Sequence, residues 1–240
     1  MTTSIRNDSG AERWFGHRYL ALLVALLLLF ALYPFLEQNV IEARHVSVFF
    51  TVILIAGIYA VSHNHRLTVL ALVLAAGMLS GQWLAHFDQN PTAIAFARVF
   101  GFVFFLVTAA AILTDVLKSR TITGDKICGA ICAYLMIALM WAFLFCLIEV
   151  LNPGSFLENG QPIAVGHITF RQFAVMNSLV YYSMVTIATL GYGDIIPKTA
   201  PARSLSTLEA ITGQMYLAIL IARLVSIHIV HSTRARDGSK

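Results

Sequence analysis

The sequence predicts an all-α membrane protein: six membrane-spanning helices, plus one shorter helix and a loop that enter the bilayer and turn back. Three observations predict it. The 240-residue chain is 58% hydrophobic and 12% charged, with a mean hydropathy of +0.78, whereas soluble domains run nearer a quarter charged. Six apolar runs approach the roughly twenty residues needed to cross the hydrocarbon. A seventh run, 169–188, is too polar for a span, and the Gly-rich word Thr189-Leu190-Gly191-Tyr192-Gly193-Asp194 follows it.

Residues 1–18 form a polar N-terminal tail that includes acids. The first apolar run, 19–36, is long enough to stay in the bilayer, and no small-residue cleavage site follows it. It therefore reads as a retained span and not a leader. The runs 46–62, 67–87 and 92–114 complete a four-span front half, 19–114. A polar linker with Gly124, 115–126, joins it to a back half, 127–230. The back half opens with the outer span, 127–151. The segment 152–166, with Pro153, Gly154, Gly160 and Pro162, reads as a turret-like loop. The run 169–188 contains Arg171, Gln172, Asn177, Ser178, Ser183 and Thr186, which suits a re-entrant helix covered by protein. The word 189–194 follows, then the last span, 204–230, and a short tail, 231–240.

Charge supplies an orientation. With the N-terminus inside, the cytoplasmic segments hold Arg6, Arg13, Arg18, Arg66, Lys118, Arg120, Lys126, Arg234, Arg236 and Lys240. The other side holds Arg44, Arg98, Arg171, Lys198 and Arg203, and Arg223 sits near the inner end of the last span. Ten against five favours both termini in the cytoplasm and the word 189–194 outside. The net charge of +4 is spread over segment ends, so no basic stripe suggests nucleic acid. Cys128, Cys132 and Cys146 all lie in one apolar run, so no disulfide framework is implied. Cys128 and Cys132 have a spacing that could hold a metal, but no His or acid lies beside them on that helix face, and packing is the plainer reading. No cofactor and no catalysis are expected.

A dehydrated cation needs oxygens close enough to replace water. Gly191 and Gly193 permit dihedrals that let successive carbonyls point the same way. The carbonyls of Thr189, Leu190, Gly191 and Tyr192, with the Thr189 hydroxyl, would then stack as rings of oxygen. Four chains close such rings, which implies a cyclic homotetramer around a path for the cation. The preceding helix aims its negative dipole end at the same axis. Asp194 would add a ring of carboxylates at the outer mouth.

Residues 127–230 resemble the two-span pore module of the bacterial potassium channel superfamily. The resemblance runs through Tyr181-Tyr182-Ser183-Met184-Val185-Thr186-Ile187-Ala188, the filter word, Asp194-Ile195-Ile196-Pro197, and Ala202-Arg203. It implies that Tyr181 and Tyr182 form an aromatic cuff behind Tyr192, with Val185 and Thr186 supporting the filter. It implies that Gly213, twenty residues past Gly193, takes an inner-helix hinge position; close helix packing is the other reading of that glycine. Two departures stand out: Leu190 where Val or Ile is commoner, and Val185 where some relatives place an acid that braces the filter.

Six spans with the pore last resemble the voltage-gated layout, yet 92–114 carries Arg98 alone where three or four gating charges per subunit would be needed. The front half therefore reads as a voltage-sensor-like domain without its charges, with little intrinsic voltage dependence. Below Gly213, Tyr216, Leu217, Leu220, Leu224 and Ile227 recur at helical spacing, a ring that could close by dewetting. His63, His65, His228 and His231 near the inner face could sense pH or merely cap helix ends. Glu209 is an acid inside a span, functional or structural. The expectation is a potassium-selective channel, homotetrameric, held in membrane lipid, in a bacterial inner membrane. A weakly selective monovalent cation channel is the alternative. A transporter or non-conducting scaffold is the alternative from another class.

Overall fold

In the computed structural model of the protein, residues 18–37, 43–88, 91–119, 123–163 and 168–237 are described, with side chains described at 18–31, 50–84, 91–119, 123–163, 175–223 and 225–226. The elements are α1 (Arg18–Glu37), α2 (Ala43–Ala60), α3 (His65–Asp88), α4 (Pro91–Lys118), α5 (Gly124–Leu151), β1 (Phe156–Glu158), β2 (Gln161–Pro162), α6 (Ile168–Ile187), β3 (Ile195–Pro197) and α7 (Ala200–Asp237). Among the described residues four helical stretches are long and apolar enough to cross a membrane: His65–Leu84, Pro91–Lys118, Gly124–Leu151 and Ala200–Arg223. The chain is an integral membrane protein, mostly helical.

Several expected boundaries move. Helix α4 runs on through Lys118, so the first residues of the expected linker are helical. Helix α5 then starts behind Thr123, whose side chain accepts from the Lys126 amide, with Asp125 in the first turn where a carboxylate favours the helix dipole. Helix α7 begins at Ala200 and continues to Asp237, through most of the expected tail. The all-α expectation has one exception. The turret-like loop holds a hairpin, β1–β2, and β3 joins it from beyond residue 194 to make a small antiparallel sheet in the order β2-β1-β3, with Glu158 opposite both Gln161 and Ile195. The tail before Arg18, linker residues 120–122, and the side chains of Glu37, Asp88, Arg171, Gln172, Leu224, Ile227, His228 and His231 lie outside the described residues.

One core joins the two halves. Tyr19 of α1, Phe104 and Phe105 of α4, Phe143 and Phe145 of α5, Phe156 of the loop and Tyr182 of α6 belong to a single buried cluster. Gly101 makes this possible on α4, because a Cβ there would overlap the Phe143 ring. In lipid, apolar contact gives no hydrophobic gain over the bilayer, so close packing through small residues is what holds helices together. Arg98 is buried in that seam. Its Nη1 lies 3.6 Å from Met176 Sδ, and its guanidinium sits 5.7 Å from the Phe143 ring centre.

Asp115 ties the helix ends at one face of the molecule. It accepts from Arg18 Nη2 at 2.7 Å, from Lys126 Nζ at 2.6 Å and from the Tyr19 hydroxyl. Arg223 of α7 donates to the Ser119 carbonyl at 2.7 Å. The start of α1, the end of α4, the start of α5 and the lower part of α7 therefore share one end, as the charge count requires. The sheet lies at the other end of α5.

Candidate functional site

The segment 189–194 leaves α6 through a capped helix end. The Leu190 amide donates to the Val185 carbonyl and the Thr189 amide to the Thr186 carbonyl, both at 2.9 Å. This pair of bonds is a Schellman ending, which needs a left-handed residue at the position after the cap. That residue is Thr189, with φ +57°. Glycine usually holds this place, and a β-branched residue there is strained. The carbonyls that accept these two bonds belong to Val185 and Thr186, the residues expected as filter support. The sequence reading anticipated unusual dihedrals at the two glycines and missed the one at Thr189.

Beyond Thr189, Gly191 (φ +59°) and Gly193 (φ +83°) are also left-handed, while Leu190 and Tyr192 between them are not. Every second residue from 189 to 193 is therefore left-handed. Such alternation is incompatible with a regular strand, whose residues all keep negative φ. Residues 189–193 are exposed in the single chain. Leu190 is 56% and Tyr192 67% exposed, so neither side chain is covered by its own α6.

The exit of the segment is anchored to the sheet. The Asp194 carbonyl accepts from the Asn159 amide at 2.9 Å, and its carboxylate accepts from the Ile195 amide at 3.0 Å. Asn159 (φ +50°) and Gly160 (φ +80°) form the two-residue turn of the β1–β2 hairpin. Asn-Gly between short strands is the usual signature of that turn, so this hairpin was readable. Glu149, at the end of α5, accepts from the Gly154 and Phe156 amides at 2.7 and 3.1 Å. It is buried and fixes where β1 begins. Nothing in the spacing of the sequence marked Glu149 out.

Three polar stitches fasten α6 between α5 and α7. The Tyr182 hydroxyl donates to Ser206 Oγ at 2.6 Å, and its ring packs on Phe145 and Phe156. Tyr182 thus ties α6 to α7 and the loop. Tyr181 beside it is half-buried. The Tyr134 hydroxyl of α5 donates to the Ile187 carbonyl at 3.1 Å, satisfying a last-turn acceptor of α6. Ser183 Oγ lies 2.7 Å from the Ala138 carbonyl and also touches Glu209 Oε1.

On α7, Gly213 is buried where the helix crosses the end of α6. A Cβ there would overlap the Ile187 carbonyl oxygen and lie 2.7 Å from Ile187 Cγ1. Close packing accounts for this glycine. The next residue, Gln214, donates from Nε2 to Thr189 Oγ1 at 3.3 Å, a contact at the inner end of the segment that the sequence reading missed.

The expected inner ring divides. Tyr216 is buried, its hydroxyl donates to the Ala130 carbonyl at 2.5 Å, and its ring lies 5.5 Å from Tyr134. It turns toward α5 because its hydroxyl needs a buried acceptor, and so leaves the expected ring. Leu220 packs against the core. Leu217 is on the open face, and Ile221, four residues on, shares it. Cys132 and Cys146 are buried free thiols, in contact with the Tyr19 carbonyl and Met176 Sδ.

Residues 163–229 match the family model described as "Ion channel". The chain is 27% identical over 78 residues to a protein of Rhodopseudomonas palustris named "Putative potassium channel protein RPA4233", covering 32% of this chain and 19% of that protein. It is 44% identical over 46 residues to "Two-pore potassium channel 4" of Arabidopsis thaliana, covering 19% of this chain and 16% of that protein. The chain thus spans less than a fifth of the length of these curated relatives. No solved structure matches it.

Proposed function

We propose that this chain, a member of the ion channel family through residues 163–229, is one of four identical subunits around a potassium-selective pore. It is a channel protein and not an enzyme. The observation that carries the proposal is the alternation of left-handed residues at Thr189, Gly191 and Gly193, held between a capped helix and a sheet. Four copies would turn the carbonyls of Thr189, Leu190, Gly191 and Tyr192, with the Thr189 hydroxyl, into rings that replace the hydration shell of a potassium ion. The names of the two matched proteins support the same ion.

The exposed side chains support the assembly. Leu190, Tyr192, Leu208, Ile211, Met215 and Ile219 are large, apolar and uncovered in one chain, and a four-fold assembly would give them neighbours. Asp194 stands at the outer mouth. Six spans, both termini in the cytoplasm and a bacterial inner membrane complete the reading. In this reading Leu217 and Ile221, both exposed in one chain, would narrow the inner pore, with Gln214 above them. A weakly selective cation pore is the second reading. Leu190 favours it, because its side chain is more than half exposed within its own subunit.

Purified protein in potassium-loaded liposomes tests the function. Flux is expected from the wild type and abolished by Gly191→Asp, which adds a side chain and a charge at a left-handed residue. An exposed loop change, Gln161→Ala, is expected to leave flux unchanged. Flux indifferent to Gly191→Asp would remove the pore reading. A reversal potential in mixed potassium and sodium separates the selective pore from the weakly selective one.

A further inference from the structure

Glu209 is fully buried on α7, inside the membrane-spanning part of the chain. Its Oε1 meets Ser183 Oγ of α6, and among the described residues its Oε2 has no hydrogen-bond partner. Ser183 Oγ also lies 2.7 Å from the Ala138 carbonyl of α5. A serine hydroxyl carries one proton, and hydrogen positions follow from such counts. A carbonyl cannot donate, so the Ser183 proton belongs on the bond to Ala138. The remaining contact, between Ser183 Oγ and Glu209 Oε1, is then without a proton unless Glu209 supplies it.

The rest of the site agrees. An ionised carboxylate with one bare oxygen and no counter-charge is costly to bury, while a neutral acid with a bare carbonyl oxygen costs much less. The titratable groups facing Glu209 are Tyr134 on α5 and Tyr182 on α6. Both donate elsewhere, to the Ile187 carbonyl and to Ser206 Oγ. Among the described residues no basic side chain accompanies Glu209.

We propose that Glu209 is held as the neutral carboxylic acid, and that its proton completes a relay from α7 through Ser183 of α6 to Ala138 of α5. Glu209 is then a positioning residue for the helix that carries the segment 189–194. Loss of that proton leaves the single Ser183 hydrogen to serve two acceptors, the Glu209 carboxylate and the Ala138 carbonyl, so one of the two contacts that hold α6 is lost. This rests on the channel reading above, since the positioned helix is the one that would carry the filter.

The test uses the full-length protein in liposomes, with infrared spectra and potassium flux recorded from about pH 5 to about pH 9. A carboxylic-acid carbonyl band is expected at neutral pH in the wild type and absent in Glu209→Gln. Gln keeps a donor for Ser183, so its flux at neutral pH should match the wild type and should not fall on the alkaline side, where wild-type flux falls. Glu209→Ala removes the donor and leaves Ser183 unsatisfied, with flux lowered about tenfold at every pH. The proposal is overturned by a missing acid band at neutral pH, by identical pH profiles for wild type and Gln, or by an Ala variant that conducts like the wild type. Wild-type vesicles without flux would sink the channel reading instead. The infrared band would then decide Glu209 alone: present, it supports the neutral acid, and absent, it overturns it.

Discussion

Gly213 separates two roles that look alike in a sequence. A hinge glycine and a packing glycine both weaken a helix, by about 1 kcal/mol relative to alanine. The contact with the Ile187 carbonyl supports the packing role, because a backbone oxygen anchored by Tyr134 cannot step aside. Gly213→Ala is expected to lower stability by about 1–3 kcal/mol through overpacking, measured as a drop in the thermal unfolding midpoint of the assembled protein. A hinge would give the reverse, a more stable helix with altered opening. Thr189 teaches a related lesson. Its left-handed φ comes from the two backbone bonds that close α6, and residue preference alone argues against it.

The loop that leads from α5 to β1 was legible only in part. Its turn residues were visible, but three short strands carry too few residues for a periodic pattern, and their pairing depends on β3, which lies beyond α6 and the segment 189–194. The hairpin turn is nonetheless exacting. Gly160 has φ +80°, where an L-residue costs about 1–2 kcal/mol. Gly160→Ala is expected to speed hydrogen exchange at the Asn159 amide, whose partner is the Asp194 carbonyl, and to leave the amides of α5 protected. Uniform loss of protection would mean that the loop and the helices unfold as one unit. Helix α7 shows the same limit in another form. Its apolar positions recur at helical spacing all round, so the sequence could not tell which face meets α5. The hydroxyl of Tyr216, bound to the Ala130 carbonyl, sets that face.

The front half is built onto its own back half. Helix α4 lies against α5 and α6 of the same chain, through Gly101 beneath Phe143 and Arg98 beside Met176. Arg98, the lone basic residue of that helix's central run, is buried in this seam. Moving it across the bilayer would tear a packed aromatic contact, and one charge yields only about 2.3 kcal/mol per 100 mV. The conductance–voltage relation in symmetric potassium is therefore expected to be nearly flat. A steep, saturating curve would show that α4 moves after all, or that charge resides elsewhere. At the opposite end, Asp115 and Arg223 bind the front half to α5 and to the lower part of α7.

Composition and run length were enough for the membrane class, the order of the helices and the position of the Gly-Tyr-Gly word, because lipid imposes length and apolarity on each span separately. Charge at the segment ends was enough for a common end for Arg18, Lys118 and Lys126. The tertiary structure alone placed the left-handed Thr189, the inward turn of Tyr216, the bond from Gln214 to Thr189, the contacts of Ser183 with Glu209 and Ala138, and the packing of α4 on its own α5. Each of these depends on a partner distant in the chain. Inside a bilayer, every face of an apolar helix reads alike until a buried hydroxyl, amide or carboxyl finds the group that satisfies it.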